Sequence, residues 1–310
     1  MRTVVVGGGI MGAGIALALA RSGHGVTVVE PDARTRATLA DRFRGDPLLA
    51  GGVIPAVEPD LDVVAAADFV VEAAPEDLAL KQEVWRRLGR IAPAEAILAT
   101  NTSSLDVDLL AECVPEPARA LATHWFNPAY EVECVEVAPG RATSAAVVER
   151  VIALLRSAHK RPVVVPNVAG FVANRIQFAA IREALLCIAE GMPAVDVDEI
   201  VRTSFAPRLA ALGPLANADL GGLDTYLAIF ETLQRAHGER FAPPRVLREL
   251  VEAGRFGTKS TGGVYDYTLA DARALTSLRD RRLSRVIAAV RDGEGDPPAP
   301  EIPTKRIDVR

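Results

Sequence analysis

Cysteine is scarce in this chain of 310 residues: Cys113, Cys134 and Cys187 are odd in number and far apart. That spacing supports neither a disulfide framework nor a zinc site, so no metal is expected. An excess of positive charge is also missing. Lys and Arg number 35 against 40 Asp and Glu, a formal net charge of -5. A sequence-independent grip on nucleic acid needs a basic face, and so does a polybasic membrane patch, so neither partner is expected. No apolar run reaches the length of a membrane span. Met1-Arg2 leads straight into Thr3-Val4-Val5-Val6, a buried-strand pattern, with no charged region, apolar stretch and cleavage site ahead of it. A cytoplasmic location is therefore the expectation. Internal repeats are absent. What remains is ordinary: 49% apolar and 24% charged residues, enough for a full core in one large or two ordinary domains.

The first half alternates short aliphatic strands with helices. Thr3–Val6, Val26–Val29, Asp68–Glu72, Ile97–Thr100 and Leu121–His124 read as strands, and their continuous Val/Ile/Leu character fits a parallel sheet covered on both faces. Gly12–Ser22 and Asp77–Ile91 carry helical periodicity, the latter through Leu78, Val84, Leu88 and Ile91. This order is that of an α/β, doubly wound, Rossmann-type domain. After Val163-Val164-Val165 the β signal stops. Phe171–Glu190 reads as one long helix with an almost wholly apolar side, followed by helical segments at Val195–Phe205, Asp224–His237 and Pro244–Ala253. The expected organisation is a nucleotide-binding domain over residues 1–168 and an all-helical domain over 169–310. The Gly-, Pro- and charge-rich tail from Asp292 is expected to be loosely held.

Gly7-Gly8-Gly9-Ile10-Met11-Gly12 places a GxGxxG set between the first strand and the first helix. The first glycine permits the tight turn, the second admits a pyrophosphate to the backbone, and the third lets helix and strand pack closely. The anion then rests on the free N–H groups of the helix N-terminus. Glu30 closes the second strand, where an acidic residue takes the ribose hydroxyls, and its charge repels a 2′-phosphate. That favours NAD over NADP. Arg34 and Arg36 follow and could bind such a phosphate, or form a solvated helix face.

A dinucleotide fold names no reaction. Asn101-Thr102-Ser103-Ser104 and His124-Trp125-Phe126-Asn127-Pro128 both follow strands, at the carboxyl edge where a ligand crevice forms. Oxidising an alcohol by hydride loss needs a base for the hydroxyl proton, and histidine suits this near neutral pH. Glu136, in the strand-like run Glu133–Val137, is the candidate carboxylate that orients His124. Ser103 and Asn174 are candidate donors to the substrate oxygen. The other histidines, His24, His159 and His237, lack comparable neighbours. Cys134 shares the strand face of Glu136 and could touch substrate or simply fill a gap.

Several stretches together resemble the 3-hydroxyacyl-CoA dehydrogenases. These are Gly7–Ile15, Val71-Glu72-Ala73 with Glu76-Asp77-Leu78 and Lys81, Asn101–Leu105, His124–Pro128 and Gly170–Arg175. Gly213-Pro214-Leu215 with Asp219, Gly222-Leu223-Asp224 and the run from Gly257-Thr258-Lys259 to Tyr265 continue the likeness, which covers roughly residues 2 to 268. The resemblance implies an NAD-dependent oxidoreductase of fatty acid metabolism acting on an acyl-CoA. His124 would be the acid/base, oriented by Glu136, with Ser103 and Asn174 at the reacting 3-oxygen. Gly7, Gly9, Ile10, Met11, Gly12, Glu30, Ala73, Glu76, Lys81, Ser103 and Asn127 would form the NAD site. The helical domain would supply a homodimer interface.

Three departures from the family pattern bear on substrate. The segment between Glu30 and Asp68 is short, and Gly45, Pro47, Gly51, Gly52 and Pro55 break any long helix in Asp41–Val57. In the family this region carries a longer helical hairpin that helps hold CoA, so a free hydroxy acid or a carrier-protein-bound acyl group stays open as substrate. The usual proline of the entry to the helical domain is missing from Asn167-Val168-Ala169-Gly170-Phe171, which predicts a looser hinge. The late turn reads Lys259-Ser260-Thr261-Gly262. A non-catalytic dinucleotide-binding protein is the third reading, opposed by the intact His124, Glu136, Ser103 and Asn174 set.

Overall fold

The computed structural model describes residues 1–50 and 52–291; the tail from Asp292 and the breaker Gly51 lie outside the described residues. The chain forms two compact units, Met1–Ala180 and Ile181–Arg310.

In the first unit eight strands make one sheet: Arg2–Val6 (β1), Gly25–Val29 (β2), Ala56–Glu58 (β3), Phe69–Glu72 (β4), Ile97–Thr100 (β5), Ala120–Trp125 (β6), Cys134–Pro139 (β7) and Arg161–Val164 (β8). Their order is β3-β2-β1-β4-β5-β6-β7-β8. β1 to β6 are parallel, whereas β7 runs antiparallel to β6 and β8 pairs parallel to β7. Helices Ile10–Arg21 (α1), Ala33–Gly45 (α2), Leu78–Ile91 (α3), Asp108–Ala111 (α4) and Ala145–Ser157 (α5) fill the connections. Alternating side chains of each strand feed two cores. Val5 and Val28 pack with α1, α2 and α5, while Val4, Val6, Val70 and Leu98 meet Trp85 and Leu88 of α3 on the other face. This is the doubly wound α/β domain expected, with both sheet faces covered.

The short segment after β2 holds α2, a 3₁₀ turn at Pro47–Leu49 and β3. Asp32 caps α2 by accepting from Thr35 N, so the helix forms before Gly45 and Pro47 end it. The α3 pattern is also richer than its apolar residues suggest. Trp85 and Lys81 are fully buried beside Leu88, whereas Leu78, Val84 and Ile91 are only partly covered.

Ala173–Ala189 (α6) starts two residues later than expected, because Gly170 and Phe171 both take left-handed backbone (φ 73° and 44°). No residue of α6 is buried in the single chain. The second unit continues with Ala194–Ile200 (α7), a π-helical turn at Val201–Phe205, Ala206–Leu212 (α8), Pro214–Gly221 (α9), Leu223–His237 (α10), Arg245–Glu252 (α11) and Leu269–Val290 (α12). Pro207 has no N–H to give Thr203, and the ladder widens to π spacing just ahead of it. Among the described residues no helix is long and apolar enough to cross a membrane.

Candidate active site

The glycine loop has the shape its spacing demands. Gly7 sits at φ +106°, and a Cβ there would lie 2.7 Å from Ala73 O. A Cβ on Gly12 would collide with Gly7 O, so both positions exclude larger residues. Around Gly9, by contrast, nothing lies within 4 Å of an added Cβ. That open space faces the start of α1, where Gly9 is the N-cap and Ile10 is 74% exposed. Backbone N–H groups at a helix start with clear space above them suit a pyrophosphate. Met11 is partly buried against the α1 core.

Glu30 follows β2 and accepts from Gly8 N through Oε2 and from Asp32 N through Oε1, both at 2.9 Å. It lines a groove of about 530 Å3 with Gly7, Pro31, Leu61, Pro75 and Val84. Apolar walls for a base, one carboxylate for ribose hydroxyls and a glycine turn for phosphates fit the adenosine half of NAD. Arg36 turns away from this role: its Nη1 donates to the carbonyls of Glu30 and Pro31 at 2.9 and 2.7 Å.

Ala73 follows β4 and donates its N–H to Val6 O at 2.7 Å, placing it beside Gly7. Glu76 is exposed in the next loop and accepts from Thr102 Oγ1, Ser103 N and Ser104 Oγ. Burial pushes the Glu76 carboxyl up. The Thr102 hydroxyl, Ser103 N–H, Lys81 ammonium and Ser104 hydroxyl outweigh it and hold the group below the ordinary carboxylate value. The Lys81 side chain is 1% exposed and ion-paired to Glu72 at 2.7 Å.

His124 and Glu136 come together through register. The antiparallel pairing of β6 and β7 sets them directly opposite one another, where side chains share a face. His124 Nδ1 lies 2.7 Å from Glu136 Oε2, with both residues at most 5% exposed. A carboxylate offers no proton, so the ring nitrogen donates. Glu136 Oε1 accepts from Val172 N and Ala173 N at 3.0 and 2.9 Å. One carboxylate therefore orients the imidazole and takes up free donors at the start of α6, where negative charge is favoured. Phe126 and Phe171 flank the ring, with centroids 4.7 and 5.6 Å away.

Ser103 follows β5, and Asn174 Nδ2 donates to its carbonyl at 3.2 Å. Asn127 is exposed just past β6. Asn167 stands at the entry to the helical segments, where the family's proline is missing. Its Oδ1 accepts from Val107 N, and its Nδ2 donates to Asp106 at 2.7 Å. Phe171, 0% exposed, packs with Val107, Ala122, Ala138 and Val165. Cys134 is half-buried; burial and then the charge of Glu136 push its thiol up, which disfavours reactivity.

A model of the 3-hydroxyacyl-CoA dehydrogenase NAD-binding domain matches residues 52–168, and one of the C-terminal domain of the same family matches residues 170–267. The chain belongs to the 3-hydroxyacyl-CoA dehydrogenase family. It is an NAD-dependent oxidoreductase of that family. Residues 2–40 also match the model of FAD-dependent oxidoreductases, which fits a dinucleotide-binding βαβ start. A probable 3-hydroxybutyryl-CoA dehydrogenase of Bacillus subtilis is 36% identical over 279 residues, 85% of this chain and 96% of that protein. A 5-formyl-3-hydroxy-2-methylpyridine 4-carboxylate 5-dehydrogenase of Mesorhizobium japonicum is 32% identical over 296 residues, 91% of this chain and 96% of that one. Among solved structures, a 3-hydroxyacyl-CoA dehydrogenase from Archaeoglobus fulgidus aligns with a TM-score of 0.80 at 32% identity, covering 94% of this chain and 99% of its own.

Residue-by-residue reading missed what supports these groups. Glu72, Thr100 and Thr102, all 0% exposed, form the polar floor beneath the Ser103 loop. The available signal was a glutamate ending the otherwise apolar strand Phe69–Glu72, opposite a helix carrying Lys81 and Trp85 one turn apart.

Proposed function

We propose that the chain interconverts the 3-hydroxy and 3-keto groups of an acyl thioester, with His124 as acid/base and Glu136 as its orienting carboxylate. The observation that carries this reading is the buried 2.7 Å contact between them beside the Ser103 loop. With Nδ1–H given to Glu136, the Nε2 lone pair of His124 is left to take the hydroxyl proton. Glu136 then balances the imidazolium that forms. Ser103 and Asn174 hold the 3-oxygen. NAD, when bound, supplies the hydride acceptor, and Gly7, Gly9, Ile10, Met11, Gly12, Glu30, Ala73, Glu76, Lys81, Ser103 and Asn127 would hold it. Residues 1–168 serve as the cofactor domain and 169–310 as the substrate and dimer domain of a cytoplasmic homodimer.

The test follows NADH absorbance with acetoacetyl-CoA, beside free acetoacetate and NADPH as parallel substrates. Oxidation with the CoA ester and NADH, and not with the two controls, is the expected result. Unchanged NADH absorbance with the ester, while free acetoacetate is reduced, would overturn the thioester reading. A second reading, a dehydrogenase of a free carboxylic acid, keeps the same proton chemistry. Two observations favour it: among the described residues, the segment from Glu30 to Asp68 holds only α2, one 3₁₀ turn, the short β3 and a second 3₁₀ stretch, and the pyridine carboxylate dehydrogenase structure aligns with a TM-score of 0.70 over 93% of this chain.

A further inference from the structure

The stretch that leads from β8 into α6 is strained at one residue. Phe171 holds left-handed backbone at φ 44°, and a bulky residue stays there only where its surroundings over-determine it. Apolar packing is one part of that hold: Val165 and Phe171 sit in one buried cluster with Val107, Ala122 and Ala138. Polar contacts to the candidate site are another. Val172 N and Ala173 N donate to Glu136 Oε1 at 3.0 and 2.9 Å, and Asn174 Nδ2 donates to Ser103 O at 3.2 Å.

A further contact lies away from the proposed reacting groups. Asn167 Nδ2 donates to Asp106 Oδ1 at 2.7 Å, and Asn167 Oδ1 accepts from Val107 N at 3.2 Å. Asp106 Oδ1 also accepts from Asp108 N at 3.0 Å, at the start of α4. The chemistry is matched. A backbone N–H only donates and a carboxylate only accepts, while a carboxamide presents one group of each kind side by side. Those partners also fix which terminal atom of Asn167 is the oxygen. Residues 103–107 and 167–174 are therefore joined at both ends, by Asn174 to Ser103 and by Asn167 to Asp106 and Val107. With the Asn167 end released, the strain at Phe171 relaxes by rotating the backbone just ahead of Asn174.

We propose that Asp106 and Asn167 are a positioning pair: they fix residues 167–174 against the Ser103 loop, so that Asn174 and Ser103 meet the substrate oxygen at a constant spacing, while neither member of the pair touches substrate or cofactor. The inference rests on the reading that Ser103 and Asn174 hold that oxygen.

Exchanging the two side chains tests it. Asn167→Asp keeps an acceptor for Val107 N but sets a second carboxylate against Asp106. Adding Asp106→Asn restores a donor facing an acceptor, with the direction reversed, and its oxygen still accepts from Asp108 N. Wild type, Asn167→Asp and the double variant are compared by steady-state reduction of acetoacetyl-CoA and of free acetoacetate, by NADH titration and by amide hydrogen exchange at Val172 and Ala173. In Asn167→Asp, kcat should fall about tenfold with whichever compound wild type reduces, within the cost of a small misplacement caused far from the chemistry. Exchange at Val172 and Ala173 should quicken. NADH affinity should stay within about twofold of wild type, with the number of NADH sites per chain unchanged. The double variant should regain most of the turnover and the slow exchange. Wild-type kcat in Asn167→Asp, or a double variant no better than Asn167→Asp, overturns the proposal. NADH sites lost in step with kcat would make the pair a folding element and overturn it as well. Wild type that binds NADH but reduces neither compound removes the reading of Ser103 and Asn174 and this inference with it; an active wild type with an unrescued double variant removes this inference alone.

Discussion

Glu136 makes three hydrogen bonds with one carboxylate, and they serve two different ends. Oε2 orients His124; Oε1 holds Val172 N and Ala173 N at the start of α6. Glu136→Gln keeps an oxygen for the helix donors but exchanges a charged acceptor for an amide that cannot balance an imidazolium. Turnover should fall by about 10²-fold or more, within the range of general acid–base catalysis. NADH binding should change little, since the residue lies on β7 and not in the glycine loop. Steady-state kinetics beside an NADH titration separates the two, and equal losses in both would make Glu136 a structural residue. His124→Ala with turnover unchanged would remove the acid/base assignment altogether.

At the scale of elements, the late turn between Gly257 and Tyr267 depends on one buried carboxylate. Asp219, 0% exposed, accepts from Val264 N, Tyr265 N and Tyr267 Oη, and its own carbonyl accepts from Thr258 N. Burial, then the Asp219 contact, push the Tyr267 phenol far above its ordinary value, so it stays a donor. Within this turn Thr261 takes φ +62°. A β-branched residue in left-handed backbone is strained by about 1 kcal/mol, which glycine would avoid. Thr261→Gly should raise the thermal midpoint by a few degrees, measured by calorimetry; a midpoint that falls would mean the Thr261 hydroxyl contact to Ser260 O outweighs the strain. How legible such elements were depended on whether their signal was periodic. β1, β2, β4, β5 and β6 were readable because they are unbroken aliphatic runs bounded by turns. β3 is only three residues long, and α2 is closed by Gly45 and Pro47, so neither carries an unbroken periodic run. α12 was missed although Thr268 and Asp271 form a capping box at its start. His124, Glu136, Ser103 and Asn174 were readable as residue types after strands. The antiparallel turn of β7, which puts Glu136 opposite His124, is a tertiary fact with no local signature.

For the molecule as a whole, the unexplained quantity is apolar surface. Phe178, Ile181 and Leu185 on α6 are 60%, 41% and 60% exposed, and their spacing of three and four residues puts them on one helix face. Elsewhere in the second unit Leu215 and Ile229 are each 50% exposed. Scattered apolar side chains are normal on a surface, but an aligned stripe on a helix without a single buried residue marks a face made for a partner. A second copy of the chain is the occupant our proposed homodimer requires. Sedimentation velocity should show a dimer at micromolar concentration, and Phe178→Glu with Leu185→Glu should shift it to monomer, because two carboxylates per face would be desolvated without partners. The sheet unit does not depend on that face for its core, so the dissociated variant should still bind NADH. A wild-type monomer, or a glutamate variant that remains dimeric, would locate the interface elsewhere or exclude it, and the stripe on α6 would then need a different cover.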